Sequence, residues 1–149
     1  SIKLRVLEKK GFIEDINAVS IFKMNEYVKL KGKIRFMGSY SINRNVLISS
    51  SPGGTISLGH NILIGPNAVI RNADHGFASE EPMIKQEKVV GDIVIDRNVW
   101  IASNVVITRG VIIAEGVIVG AGSIVTKSCL EPYSLYAGAP AKWIKYLKN

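Results

Sequence analysis

The chain has 149 residues, 47% of them hydrophobic, and a formal net charge of +7. That length predicts one domain with ample core, no run approaches the roughly 20 apolar residues of a membrane span, and the N-terminal residues lack the layout of a signal peptide. A single cysteine, Cys129, excludes an internal disulfide framework and fits a reducing, cytoplasmic compartment. The basic residues are scattered without the aromatic interleaving of a single-strand binder. The charge therefore points to a solvated basic surface or an anionic ligand, and away from nucleic acid.

Residues 1–27 read as a lead-in. Ser1–Leu7 alternates weakly and Glu8-Lys9-Lys10-Gly11 has turn composition, which predicts an edge strand or an irregular segment. From Val28 a six-residue rhythm begins, with apolar pairs at Val28/Leu30, Ile34/Phe36, Tyr40/Ile42 and Val46/Ile48. Residues two apart in a strand point to the same face, so each unit buries one pair. Ser49–Thr55, with Ser-Ser-Ser-Pro-Gly-Gly at its centre, interrupts as a loop. The rhythm resumes at Ile56/Leu58, Ile62/Ile64 and Ala68/Ile70, with Asn61 and Asn67 at predicted corners.

Arg71–Asp92 breaks the pattern again. It contains Asn72-Ala73-Asp74-His75-Gly76-Phe77 and Glu80-Glu81-Pro82 and has no period, so it is predicted to leave the coil as a long loop, of the kind that usually carries function. The clearest stretch follows. Ile95, Ile101, Ile107, Ile113, Val119 and Val125 form one row at a spacing of six. Ile93, Val99, Val105, Val111 and Val117 form a second, which Ser123 breaks. Asn98, Asn104, Gly110, Gly116 and Gly122 supply a third, of the residue types that most readily accept positive φ at a corner. No amphipathic helix has a period of six; a three-sided parallel coil of about 18 residues per circuit does. The predicted organisation is a lead-in over 1–27, a solenoid over 28–127 with the loop 71–92, and a C-terminal segment over 128–149. In that segment an extended return over 131–140 precedes a short helix at Ala141–Lys148, with Pro140 at its first turn. The outward residues Trp100, Val106, Ile112, Ile118 and Ile124 are large and apolar. A covered surface is the reading for such a pattern on a solenoid, and a cyclic homotrimer is the simplest closed assembly of three-sided rods.

Ile-Gly-Pro-Asn at 64–67, Asp74-His75, Asn98-Val99-Trp100-Ile101, Gly120-Ala121-Gly122-Ser123-Ile124-Val125-Thr126-Lys127 and Ala137-Gly138-Ala139-Pro140-Ala141-Lys142 occur in that order. The set closely resembles the left-handed β-helix acyltransferases, in particular the galactoside, maltose and xenobiotic O-acetyltransferases and their polysaccharide relatives. The likeness runs from about Ile56 to Lys145. It implies a left-handed coil, a homotrimer and acetyl-coenzyme A (acetyl-CoA) in a cleft between subunits. The implied activity is acetyl transfer to a hydroxyl of a sugar or surface polysaccharide, as in polysaccharide biosynthesis.

Transfer of an acetyl group from a thioester to a hydroxyl requires removal of the hydroxyl proton, a task matched to neutral imidazole at pH 7. A loop histidine is ordinarily a solvated surface residue. His75, however, opens the long break and resembles the family's general base, whereas His60, at an outward corner, reads as solvated. Asp74 adjoins His75, yet consecutive side chains in extended backbone point apart. The developing oxyanion needs preorganised donors, for which backbone N–H groups at coil corners qualify. By resemblance, amides around Ser103 and Ala121 hold the pantetheine arm and Trp100 lines the cleft. Thr126, Lys127, Lys142 and Lys145 meet the coenzyme phosphates. Ser51 stands where the sugar branch carries an acceptor-holding asparagine; with Asn72 and Asp74 it is a candidate acceptor contact.

Acceptors open within this reading are a sugar hydroxyl, an amine of an amino sugar or amino acid, and an antibiotic. A γ-type carbonic anhydrase needs three histidines on zinc, and this chain has two, so no metal is expected. A non-catalytic solenoid would require neither a histidine in a long loop nor the Ala-Gly-Ala-Pro-Ala-Lys segment.

Overall fold

The computed structural model describes residues 13–14 and 22–148, with burial from Met24 onward. The turn expected at 8–11 and the alternation expected at 1–7 lie outside the described residues.

Short strands wind into a three-sided rod. The first coil comprises β1 (Ile13–Glu14), β2 (Phe22–Met24) and β3 (Lys29–Lys31); the second, β4 (Ile34–Phe36), β5 (Tyr40–Ile42) and β6 (Leu47–Ser49). The third comprises β7 (Ile56–Leu58), β8 (Ile62–Ile64) and β9 (Val69–Arg71). After β10 (Ala73–Asp74) and β11 (Val89–Val90), which belong to the excursion, the fourth coil runs through β12 (Ile93–Ile95), β13 (Trp100–Ile101) and β14 (Val106–Ile107). The fifth runs through β15 (Ile112–Ile113), β16 (Ile118–Val119) and β17 (Ile124–Val125). Strands one coil apart pair in parallel and build three faces: β1-β4-β7-β12-β15, β2-β5-β8-β13-β16 and β3-β6-β9-β14-β17. Val94 pairs with Ile112, Trp100 with Ile118 and Val106 with Ile124, so a circuit equals three six-residue units.

The two apolar rows fill the interior. From Ile93 to Val125 every residue of both rows is at most 1% exposed, the polar Ser123 included. Burial of aliphatic area drives this, since each such side chain contributes about 1.5–3 kcal/mol when removed from water. Corners fall where Asn and Gly were expected. Asn61, Asn67, Asn98 and Asn104 have φ between 57° and 64°, and Gly110, Gly116 and Gly122 between 71° and 76°.

The ends differ from the expectation. Parallel pairing begins before Val28, with β1 on β4 and β2 on β5. It also continues beyond residue 127, where Cys129 bridges to Ile113 and β18 (Ser134–Gly138) adds to β16. Backbone hydrogen bonding carries the stack there without a regular apolar pair. The helix expected at Ala141–Lys148 is absent: Ala141–Tyr146 is β19, antiparallel to β18. So short a segment is marginal as a helix without packing. As a strand it satisfies the open edge of β18, and the Trp143 indole N–H donates to buried Ser134 Oγ at 3.0 Å.

Candidate active site

The long excursion leaves the rod at the corner between the third and first faces. Asn72 follows β9 and has no exposed surface. Its Oδ1 accepts from the Ser51 N–H at 2.8 Å, and its Nδ2 donates to Ser50 Oγ at 2.9 Å. Ser50 in turn donates to the Gly54 carbonyl at 2.9 Å. Asn72 thus ties the Ser50–Gly54 turn of the preceding coil to the root of the excursion. Ala73 and Asp74 then pair antiparallel with Val90 and Val89 as a two-strand stem. His75 is the first residue past that stem. It is exposed, and its imidazole has no hydrogen-bond partner among the described residues. Asp74 points elsewhere, its Oδ2 accepting from Arg109 Nε at 2.6 Å. Further out the loop carries a short 3-10 turn at Met83–Lys85 and exposes Phe77, Met83 and Ile84.

The second group lies at the corner between the second and third faces. There Gly65-Pro66-Asn67, Ala102-Ser103-Asn104 and Gly120-Ala121-Gly122 stack along the rod. Their outer residues bond between coils: Ala102 N–H to the Val119 carbonyl, Asn104 N–H to Pro66 and Gly122 N–H to Ser103. Of the middle residues, Ala121 is exposed and Pro66 and Ser103 are half-buried. The Ser103 and Ala121 N–H groups have no partner among the described residues. Pro66, at the same level in coil three, has no N–H to offer, and at Arg44 in coil two the Asn43 side chain caps the amide at 3.3 Å. A Cβ on Gly65 would meet Ala102 C and Ser103 N at 2.7 Å, so only glycine permits this stacking. Buried Ser123 donates to the Gly120 carbonyl at 2.6 Å and accepts from the Gly138 N–H at 3.1 Å, locking the corner to the β18–β19 turn.

Trp100 leads into this corner on the outward surface of the second face, 47% exposed, in a row with Leu63, Ile118 and Leu135. Lys142 and Lys145 are three apart, which in a regular strand gives opposite sides. A register shift changes that: Lys142 pairs with Ala137 and Lys145 with Leu135, so both share the outward side of the Trp100 row. Thr126 and Lys127 are exposed at the third–first corner of coil five, apart from these two lysines. The structure therefore brings together Ser103 with Ala121, Lys142 with Lys145, and Ser51 with Asn72. Within one chain, the third face lies between the His75 loop and the Ser103–Ala121 corner. Among the large apolar outward residues, Trp100 and Ile112 are exposed while Val106, Ile118 and Ile124 are half-buried. His60 is exposed at the first–second corner.

The sequence reading gave no role to two residues at these positions. Arg109 carried no signal, being one of many scattered basic residues. Ser123 did: a polar residue in an otherwise apolar inward row demands a partner. Elsewhere, burial pushes the Cys129 thiol up to about 11, and hydrogen bonds from Arg97 and Tyr133 hold the Glu115 carboxyl below its ordinary range. Among the described residues no group of three or more His, Cys, Asp and Glu side chains could hold a metal ion, and no helix is long and apolar enough to cross a membrane.

A parallel rod of six-residue units, with small-residue corners and one histidine-bearing excursion, defines a class of hexapeptide-repeat proteins. The family model of bacterial transferase hexapeptides (six repeats) matches residues 92–127. A galactoside acetyltransferase solved in complex with coenzyme A is 32% identical, with a TM-score of 0.77 over 99% of this chain and 71% of that one. A hexapeptide-repeat acetyltransferase of Vibrio cholerae O1 biovar eltor, complexed with acetyl-CoA, is 26% identical with a TM-score of 0.71, covering 100% and 79%. A probable macrolide acetyltransferase of Lysinibacillus sphaericus is 51% identical over 70 residues, 47% of this chain and 38% of that relative's length. The chain belongs to the hexapeptide-repeat acetyltransferase family, whose rod is a left-handed parallel β-helix.

Proposed function

We propose that this chain moves an acetyl group from acetyl-CoA to a hydroxyl of a sugar or surface polysaccharide, with His75 as general base. The observation that carries this is the exposed, unengaged imidazole at the head of the excursion. It takes the acceptor proton as the hydroxyl oxygen attacks the thioester carbonyl. It returns that proton to the departing sulfur as the C–S bond breaks, so atoms and charge balance. A base so placed contributes about 10²–10⁴-fold.

The corner at Ser103 and Ala121 suits the donor. Unengaged N–H groups flanked by small residues admit an extended pantetheine chain, and the amide near Ser103 is the candidate oxyanion contact. Trp100 would line the thioester end. Lys142 and Lys145 suit the coenzyme phosphates as one cluster; Thr126 and Lys127 would reach phosphate only from another side. His75 and the Ser103 corner occupy different edges of one rod, which favours a site in the seam between neighbours of a homotrimer working in the cytoplasm. On the acceptor side, Ser51 and the free oxygen of Asp74 remain candidate contacts, while Asn72 acts from behind by holding the Ser50–Gly54 turn. A second reading, a macrolide hydroxyl as acceptor, is favoured by the Lysinibacillus relative and by the apolar loop surface at Phe77, Met83 and Ile84.

The test follows thiol release from acetyl-CoA with maltose, methyl galactoside, glucosamine and erythromycin. Activity with a hydroxyl acceptor that falls about 10²–10⁴-fold in His75→Ala, with coenzyme affinity unchanged, is the expected result. Undiminished turnover in His75→Ala would remove the imidazole from the mechanism. Exclusive use of glucosamine would replace the hydroxyl by an amine.

A further inference from the structure

We propose that Arg109 is a positioning residue for His75: from the corner of coil four it grips the stem strand from which the imidazole projects. This rests on the general-base reading of His75. Arg109 Nε donates to Asp74 Oδ2 at 2.6 Å, one residue before the histidine. Asp74 is itself paired with Val89 across the stem, so holding one leg holds both. The returning leg is fastened to the same corner, the Gly110 N–H donating to the Gly91 carbonyl at 3.0 Å. A Cβ on Gly91 would meet Gly110 N at 3.0 Å, so that leg lies directly against the corner backbone. Among the described residues, the side-chain hydrogen bonds beyond the stem, from Gln86 to the Ser79 and Glu81 carbonyls and from the Glu81 N–H to Ser79 Oγ, stay within the loop. The position of the imidazole relative to the rod is thus set at the stem, and Arg109 is its outer fastening.

The chemistry suits positioning better than stabilisation. The two side chains are 34% and 46% exposed, and a pair so solvated adds little to global stability. A charge-assisted bond nevertheless fixes direction, and a displacement of about 1 Å at a catalytic group can cost about 10²-fold. Asp74 and His75 are successive residues of extended backbone, so the effect passes through the main chain and not through contact with the ring.

The experiment compares Arg109→Met, the swap Asp74→Arg/Arg109→Asp, and His75→Ala in the full chain. It reads thiol release from acetyl-CoA with the same four acceptors and with water, together with tryptic cleavage after Lys85 and Lys88. Expected for Arg109→Met is a kcat lowered about 10–100-fold, an unchanged KM for acetyl-CoA, an unchanged melting temperature and faster loop cleavage. The swap should slow cleavage after Lys85 and Lys88 again, a readout that does not pass through the acceptor contact assigned to Asp74. Added salt should lower the wild-type kcat towards that of Arg109→Met while leaving the variant unmoved. Wild-type kcat in Arg109→Met beside an inactive His75→Ala overturns the positioning role alone. An active His75→Ala overturns the base and the positioning role together. Should Arg109→Met not fold, Arg109→Lys keeps the charge without the guanidinium geometry, and wild-type kcat and cleavage there count against the proposal.

Discussion

The Ser50–Gly54 turn and the 72–91 excursion leave the rod at the same corner, one coil apart, yet they are anchored from opposite sides. The turn is held from inside, by the fully buried Asn72 side chain bonding to Ser50 and Ser51. The excursion is held from outside, by the exposed Asp74–Arg109 pair and by backbone contact at Gly91 and Gly110. A buried anchor makes its turn part of the core, since losing it strands polar groups away from water. An exposed anchor fixes direction at little cost to the fold, which suits the role proposed for the His75 loop. The two interruptions look alike as gaps in a periodic sequence and differ in how they are held.

Excising the excursion is the sharpest way to separate them. The stem registers Asp74 opposite Val89, so residues 75–88 can be replaced by Asn-Gly, the composition of a two-residue hairpin turn. Acetyl transfer should fall at least as far as in His75→Ala, about 10²–10⁴-fold, while the melting temperature stays within about 4 °C, the scale of 1 kcal/mol. A rod that unfolds on excision would show that the loop is structural after all. Next in size is the interior itself. Ile107→Ala, at 0% exposure, should cost about 2–5 kcal/mol in denaturant unfolding and leave kcat near wild type in the folded fraction.

Asn72→Ala tests the inside anchor. Stranding the Ser51 N–H and removing the donor to Ser50 Oγ should lower stability by about 1–3 kcal/mol, measured by urea unfolding; an unchanged midpoint would make the two interruptions equivalent. The smallest effect concerns Cys129. Its thiol is 1% exposed and pushed up to about 11 by burial, so iodoacetamide near neutral pH should label it only after unfolding. The sign follows from the raised folded-state value: this contribution to stability is intact below the ordinary value of 9.0 and is lost as pH rises towards about 11. Cys129→Val should flatten that alkaline limb, whereas labelling of the native protein would show the rod end to be open.

The interior was legible because a six-residue period has few physical solutions. The rows from Ile93 to Val125 and the Asn and Gly corners all occupy their expected places. The C-terminal strand was not legible. Ala141–Tyr146 has no strong strand pattern of its own and pairs because β18 offers an open edge. The candidate site was half legible. His75 stood out by position, and the Ser103 and Ala121 corners by their small residues. The common side of Lys142 and Lys145 depends on a register shift that spacing contradicts. Arg109 lies 35 residues from Asp74 along the chain, and nothing local links them.

What the sequence by itself determined is the rod: its period, its inward pairs and the places where it is interrupted. Each of these is a local consequence of strand alternation, side-chain volume and the backbone freedom of Asn and Gly. What only the tertiary structure decided is which distant residues the winding stacks together, namely Asn72 under the Ser50 turn, Arg109 on Asp74 and Ser123 on Gly138. Those contacts follow from the number of residues per circuit and from insertions that shift it, and a side chain carries no local mark of the neighbour that a later coil will bring to it.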